Sequence, residues 1–299
     1  MPEPDWNHYR AFLGVLSEGS LSGAARVLGL AQPTLGRQIA ELEESLGAAL
    51  FIRSQRGLFP TDVARDIAPH VEAMAAAAGA TRRAASGATS EIAGTIRITA
   101  SEIIGAEVLP PLLAGFHRAN PAVTIELALS DRVEDLLRGE ADIAVRMVQP
   151  SQDALVARRI GSLDIGLYAH RTYLEAAPAP ASLAALLAGG YALIGFDRET
   201  PFLRQLMTRM PITRDSFALR ADSDLARLAA IRAGFGIGFM QHGIARRDAD
   251  LIPLFADEIG FTLEMWLVLH EDLRASQRLR LMMDHLAAGL GEYVAGSQR

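Results

Sequence analysis

Over roughly the first sixty residues, apolar side chains recur at threes and fours, the spacing of helices with one buried face. Trp6, Tyr9, Phe12, Leu13 and Leu16 make one such face, over Trp6 to Ser17. Leu21, Ala24, Ala25 and Leu28 make a second, closed by Gly29, a residue that enters the left-handed conformation without steric cost. Ala31-Gln32-Pro33 then opens a third helix, with Pro33 suited to its first turn and Leu35, Ile39, Leu42 and Leu46 as its inner stripe. Ala24 and Ala25 are small, so the second helix can approach the third closely.

Three helices with so short a break predict a helix-turn-helix. The tight turn fixes the crossing angle and projects the start of the third helix outward, as a major groove requires. The residues expected to face out are Gln32, Thr34, Arg37 and Gln38. Glutamine pairs bidentately with adenine, arginine with guanine or phosphate, and threonine touches a thymine methyl. An ordinary helical hairpin with a solvated face is the alternative. Ala49 to Arg53 next reads as a strand, Ser54-Gln55-Arg56-Gly57 as a turn and Leu58-Phe59-Pro60 as the return. Such a wing would carry Arg53 and Arg56 to phosphates or a narrow minor groove. A hairpin with two solvated arginines is the plainer reading.

Thr61 is a candidate N-cap for a long alanine-rich helix reaching about Ala88, with Asp62 at its positive end. Val63, Ile67, Val71, Met74, Ala78, Thr81 and Ala85 form a stripe along it. A stripe of that length needs covering, and an antiparallel second subunit would cover it. Gly87 to Gly94 marks a hinge.

From Thr95 the pattern changes to short strands alternating with helices. Strands are expected at Thr95–Thr99, Val123–Leu129 and Asp142–Arg146, with helices at Ile103–Ala119, broken or kinked by Pro110 and Pro111, and at Val133–Arg138. A second unit starts near Leu163, with strands at Ile165–Tyr168, Tyr191–Phe196, Phe217–Arg220 and Ile237–Met240. Trp266–Leu269 returns the chain to the first unit, and a helix over Ser276–Leu290 follows. The alternation predicts a parallel sheet with crossover helices, in two lobes that the chain crosses twice.

Ligands in such sheets sit beyond the carboxyl ends of strands. That rule selects Ser101, Glu102, Ser130, Asp131 and Arg146 from the first lobe, and Asp197, Thr200, Ser223 and Asp224 from the second. Ser101 reads equally as a helix cap, and Ser223 as a cap first. Arg146 ends an apolar strand, where a charge needs water or a partner. It either bridges to Glu102 or Asp131 or clamps a ligand carboxylate. A small anionic metabolite is the ligand expected near Ser101, Ser130, Arg146 and Thr200. The acids Glu102, Asp131 and Asp197 weigh against an anion, so a neutral or amine-bearing ligand stays open.

Composition narrows the function. The chain has 299 residues and no cysteine, which excludes disulfides and thiolate chemistry. Its formal net charge of −6 argues weakly against nucleic acid, but a DNA-binding module needs only a local basic face. No Gly-x-Ser-x-Gly, phosphate-loop or His-Glu-x-x-His motif is present, and the seven histidines are scattered. Gly234-Phe235-Gly236-Ile237-Gly238 follows a helix and precedes a strand, the wrong order for a dinucleotide loop. An enzyme, a cofactor and a metal are therefore not expected. The N-terminal stretch lacks a basic segment and apolar run, and no apolar stretch approaches a membrane span, so a cytoplasmic protein without membrane contact is expected.

The run from Trp6 through GSLSGAARVLGLAQPTLGRQIAELEESLGAALFIRSQRG resembles the N-terminal domain of LysR-type transcriptional regulators. The long helix and the two-lobed remainder fit that family too, so the resemblance covers essentially the whole chain. It implies a winged helix-turn-helix domain over 1–60 and a linker helix and hinge over 61–90. An α/β effector-binding domain resembling periplasmic binding proteins follows over 91–299, with lobe I at 91–162 and 271–299 and lobe II at 163–270. It also implies a homodimer or homotetramer on partly palindromic promoter DNA, a small-molecule effector, and RNA polymerase as a partner if the protein activates. Gln32, Pro33, Thr34, Arg37 and Arg53 fall on positions of the motif that commonly contact DNA. Ala31 and Gly36 depart from it, standing where serines are frequent, and Pro60-Thr61-Asp62-Val63-Ala64 replaces the usual Leu-Thr-x-Ala-Gly.

Overall fold

Asp5 starts the first helix by accepting the amide of Asn7 at 2.7 Å, and Gly19 ends it in the left-handed conformation. The computed structural model describes residues 4–54, 57–86, 92–130, 136, 141–150 and 155–298. These fall into two compact units, divided in the chain between Arg82 and Arg83.

The first unit contains α1 (Trp6–Glu18), α2 (Leu21–Leu28), α3 (Gln32–Leu46), β1 (Phe51–Ser54), β2 (Gly57–Pro60) and, as far as Arg82, α4 (Asp62–Ser86). Ser20 caps α2 on the amide of Gly23, and Gly29 closes it at φ +66°. The core joins Phe12 and Val15 of α1, Ala24 and Ala25 of α2, and Leu35, Ile39 and Leu42 of α3. Leu46, expected in the inner stripe, is exposed, and Trp6 is only half-buried. The core is filled instead by Ala11, Val15 and Leu50, and Leu46 lies beyond it in the last turn of α3.

The wing is fixed from two sides. Glu43 of α3 accepts the amides of Leu50 and Phe51 at 2.7 and 3.2 Å, so the third helix carries the first wing strand. The second strand hangs on the turn between α1 and α2, through Leu58 N–H donating to the Gly19 carbonyl at 2.9 Å. Gly57 permits that approach. It has φ +123°, and a Cβ there would lie 2.8 Å from the Gly19 oxygen. Gly57→Ala is accordingly expected to cost about 1–3 kcal/mol in the seating of the wing. Faster hydrogen exchange at the Leu58 amide would check this.

Thr61 caps α4 as expected, accepting the amide of Ala64 at 3.2 Å and donating to the Ala49 carbonyl at 2.8 Å. The stripe on α4 is divided, however. Val71 is buried in the core of its own domain with Ala64 and Ala68, and Ile67 packs partly against it. Val63 and Met74 stay 41% and 43% exposed. Thr81 donates to the Ala77 carbonyl, and the side chain of Ala85 lies outside the described residues.

The second unit contains β3 (Gly94–Ala100), α5 (Glu102–Glu107), α6 (Leu109–Ala119), β4 (Val123–Leu129), β5 (Ile143–Arg146) and β6 (Leu155–His170). There follow α7 (Arg171–Ala176), α8 (Leu183–Leu187), β7 (Leu193–Gly195), α9 (Pro201–Arg209), β8 (Leu219–Arg220), α10 (Asp224–Arg232) and β9 (Ile237–Gln241). Last come α11 (His242–Ala245), β10 (Leu251–Leu254), β11 (Phe261–His270) and α12 (Gln277–Ser297). The expected break near the paired prolines falls at Val108, with Pro110 in the first turn of α6. The expected helix over Val133–Arg138 lies outside the described residues except for Leu136, which is helical and buried.

The strands are ordered β4-β3-β5-β11-β6-β9-β7-β8, with β10 on the side of β6. The expected all-parallel arrangement holds only at the two ends, where β3 runs parallel to β4 and β5, and β7 to β8 and β9. Between them β11 is antiparallel to β5 and β6, and β6 to β9. The chain passes between lobes on β6 and returns on β11, so these two strands must run in opposite directions. Leu163, the expected start of the second lobe, lies within the continuous strand β6. The register between β6 and β11 shifts at Met265/Trp266, next to the pairing of Met265 with Gly161.

Candidate functional site

The opening of α3 is a polar surface on a rigid base. Gln32 and Pro33 are exposed, Thr34 is half-buried and the Arg37 side chain is 73% exposed. Leu35 and Ile39, between and beyond them, anchor the helix in the core. Ala31 supplies no side-chain cap, so the first amides of α3 are left for water or a phosphate oxygen. Gln38 corrects the expectation of four outward residues. It is half-buried, and its Oε1 is enclosed with no hydrogen-bond partner among the described residues. The departure at Gly36 is not steric, because a Cβ there would meet only Leu21 Cδ1 at 3.8 Å. Arg53 lies on β1 opposite Leu58 of the wing, its side chain outside the described residues, as is all of Arg56.

Sheet register assembles the second set of residues. Ala100 pairs with Leu129 on one side and Val145 on the other. Ser101, Ser130 and Arg146 each follow one of these, and so stand side by side at the carboxyl edge of β4-β3-β5. Ser101 is 5% exposed and makes no capping bond to α5. Ser101 does stand at the N-cap position of α5, but its enclosed Oγ has no partner among the described residues. Arg146 is 4% exposed and donates to Thr99 Oγ1 at 3.3 Å and to the Val145 carbonyl at 3.2 Å. Ser130 donates its amide to the Ala100 carbonyl.

One residue from after β8 reaches this edge. Ser223 caps α10 on the amide of Ala226 and donates its hydroxyl to Glu102 Oε2 at 2.7 Å, so one side chain ties the two strand edges together. Thr200 caps α9 on the amide of Leu203 at 3.0 Å. Asp197 holds Arg214, through Oδ1 at 2.5 Å and its carbonyl at 2.8 Å. Glu102 and Asp197 are thus engaged by other side chains. Asp131 lies outside the described residues.

Two features escaped the sequence reading. Arg232 at the end of α10 forms a bidentate pair with Glu107 at the end of α5, at 3.0 and 3.1 Å. The Glu107 hydrogen bond raises the pKa of Arg232 above its ordinary value against the opposing effect of burial. With Ser223–Glu102, this ties α5 to α10 at both ends, and the partners are too far apart in the chain to leave a local signal. Arg227 is buried with its guanidinium 4.0 Å above the Phe196 ring, donates to the Ala221 carbonyl and pairs with Asp224. Its spacing from Asp224 was the one available clue.

Residues 6–65 match the family described as bacterial regulatory helix-turn-helix protein, lysR family, and residues 89–291 match the LysR substrate binding domain. The chain belongs to the LysR-type transcriptional regulators. It is 26% identical over 295 residues to the probable HTH-type transcriptional regulator LtrA of Klebsiella pneumoniae, covering 96% of this chain and 95% of that one. It is 33% identical over 171 residues to an HTH-type transcriptional regulator of Xanthomonas campestris pv. campestris (strain 8004), covering 57% of this chain and half, 50%, of that relative. The solved structure of full-length CbnR complexed with its target DNA has a TM-score of 0.66 at 20% identity, covering 95% of this chain and 99% of that one. At that identity the likeness is one of fold. These families are regulators rather than enzymes, and no helix among the described residues is long and apolar enough to cross a membrane.

Proposed function

We propose that this LysR-type regulator acts in the cytoplasm as a homodimer or homotetramer that reads partly palindromic promoter DNA with α3 and the wing. A small anionic metabolite seated between the lobes, beside Ser101, Ser130, Arg146 and Thr200, controls it. If the protein activates, RNA polymerase is the further partner. The observation that carries the effector site is the enclosed, unpartnered Ser101 Oγ on the same sheet edge as buried Arg146. The pairing of Asp197 with Arg214 supports an anion, because it offsets the charge of one acid that would repel it, whereas Glu102 accepts only a neutral hydroxyl from Ser223 and keeps its charge. The tie between Glu102 and Ser223 gives the ligand a means of action, since an occupant beside Ser101 changes how the lobes close. That change passes through the hinge near Gly94 to the spacing of the DNA-binding units.

For DNA, Gln32, Pro33, Thr34 and Arg37 carry the base-reading surface, and Arg53 and Arg56 the backbone contacts. Arg37→Ala and Gln32→Ala are each expected to lower affinity for a cognate duplex by about 1–3 kcal/mol, the worth of a bidentate base contact. Arg53→Ala is expected to weaken all duplexes more evenly and to flatten the salt dependence. Fluorescence anisotropy on folded variants tests both, and unchanged affinity in Arg37→Ala and Gln32→Ala would remove α3 from the recognition surface.

A further inference from the structure

We infer that Glu41, held in place by His8, is a positioning residue that sets how selectively Arg37 reads DNA. This rests on the reading of Arg37 as a base contact. Glu41 lies one turn beyond Arg37 on α3, and its two carboxylate oxygens do different things. Oε1 is 3.7 Å from Arg37 Nε, and Oε2 is 3.1 Å from Nε2 of His8 on α1. The link therefore runs from the body of the domain, through a carboxylate, to an exposed guanidinium on the recognition helix.

Helix stability does not account for the pair. An arginine that precedes a glutamate at this spacing is the weaker orientation on a helix, and both side chains are solvent-accessible. An acid near a surface that meets phosphates also lowers attraction to DNA. Specificity does account for it. The carboxylate lies on the Nε side of the guanidinium, 3.7 Å away, and leaves its two terminal amino groups for the O6 and N7 of a guanine. A long side chain held this way loses less rotamer freedom on contact. Exclusion of water by the DNA strengthens the link as the complex forms.

His8 is what makes Glu41 a fixed point. Its Nδ1 is enclosed with no hydrogen-bond partner among the described residues. A proton there would be a buried, unsatisfied donor. That leaves Nε2, 3.1 Å from Glu41 Oε2, as the ring nitrogen in contact with another side chain. The imidazole contacts one carboxylate oxygen of Glu41 and leaves the other facing Arg37.

The test begins with the full-length wild-type protein and a random-sequence duplex library. The enriched duplex and a scrambled duplex are then the two probes for anisotropy. Glu41→Gln, which removes the charge and keeps the shape, is expected to bind the scrambled duplex more tightly and the enriched duplex more weakly. The ratio of the two affinities should fall about tenfold, on the scale of one base contact. His8→Phe should move the ratio in the same direction. In an Arg37→Ala background, Glu41→Gln should no longer change it. If Glu41→Gln tightens binding to both duplexes equally, Glu41 is only a repulsive charge and the inference is overturned, while the reading of Arg37 stands. If Arg37→Ala leaves the ratio unchanged, that reading falls and takes this inference with it.

Discussion

Met74→Asp is expected to dissociate the protein into monomers and to abolish tight binding to a two-half-site duplex. Met74 lies on α4 one turn beyond Val71, where the helix leaves the core of its own domain, and it is exposed together with Val63. If a second copy covers this part of α4, the substitution places an unpaired carboxylate between two apolar helix faces. The cost of several kcal/mol exceeds what a helix pair of this length can offset. The loss on DNA should be larger still, because two linked domains gain on the order of 10²–10⁴ in affinity over one. Sedimentation velocity reads the first effect and anisotropy on half-site and full-site duplexes the second. Ile67→Asp is the poorer probe, because Ile67 packs partly against its own domain and its loss would mix folding with assembly. A Met74→Asp protein that sediments as the wild type does would show that the seam lies elsewhere.

Arg146→Ala is expected to abolish the response to an anionic effector while sparing DNA binding in its absence. A ligand at one hundred times its Kd stabilises the native state by about 2.7 kcal/mol, a shift readily seen in a thermal melt across a metabolite panel. Arg146 is the buried cation at the carboxyl edge of the strands that carry Ser101 and Ser130. Removing it should bring the shift near zero for an anion, and the panel includes amines and neutral compounds so that another class would declare itself. If Arg146→Ala keeps the full response to the cognate compound, Arg146 is a structural residue and the anion proposal fails.

What the sequence disclosed, and what it hid, follows from the range of the forces involved. The helix-turn-helix was legible because short helices with tight caps are specified locally. Leu35, Ile39 and Leu42 at helical spacing and Gly29 at the turn leave little else to build. The helix before Asn120 was legible with its break, because prolines act on their own neighbours. The first half of β6 was not, since Ala157-Arg158-Arg159 carries no alternation of apolar and polar residues and is held by pairing with β11 about a hundred residues later. The strand β10 was also missed. Pro253 argues against a strand, yet β10 pairs with β6 and extends the sheet no further, which is where a missing N–H is tolerated.

The candidate site divides the same way. Register and strand order bring Ser101, Ser130 and Arg146 together, and all three could be named from strand ends alone. Their partners could not be named. The bond from Ser223 to Glu102 and the pair of Arg232 with Glu107 join residues more than a hundred positions apart, and nothing near either residue announces the other. Gln38 misled for a related reason. Periodicity gives the angle of a residue around the helix, but how deeply that angle is enclosed depends on packing.

The most direct measurement for the central claim, sequence-specific recognition of DNA, is equilibrium binding of the full-length protein to its library-enriched duplex and to a scrambled duplex over a range of salt. The expected result is a preference for the enriched duplex of at least about 10³, with both affinities falling as salt rises. Equal affinity for the two duplexes at every salt concentration would contradict it.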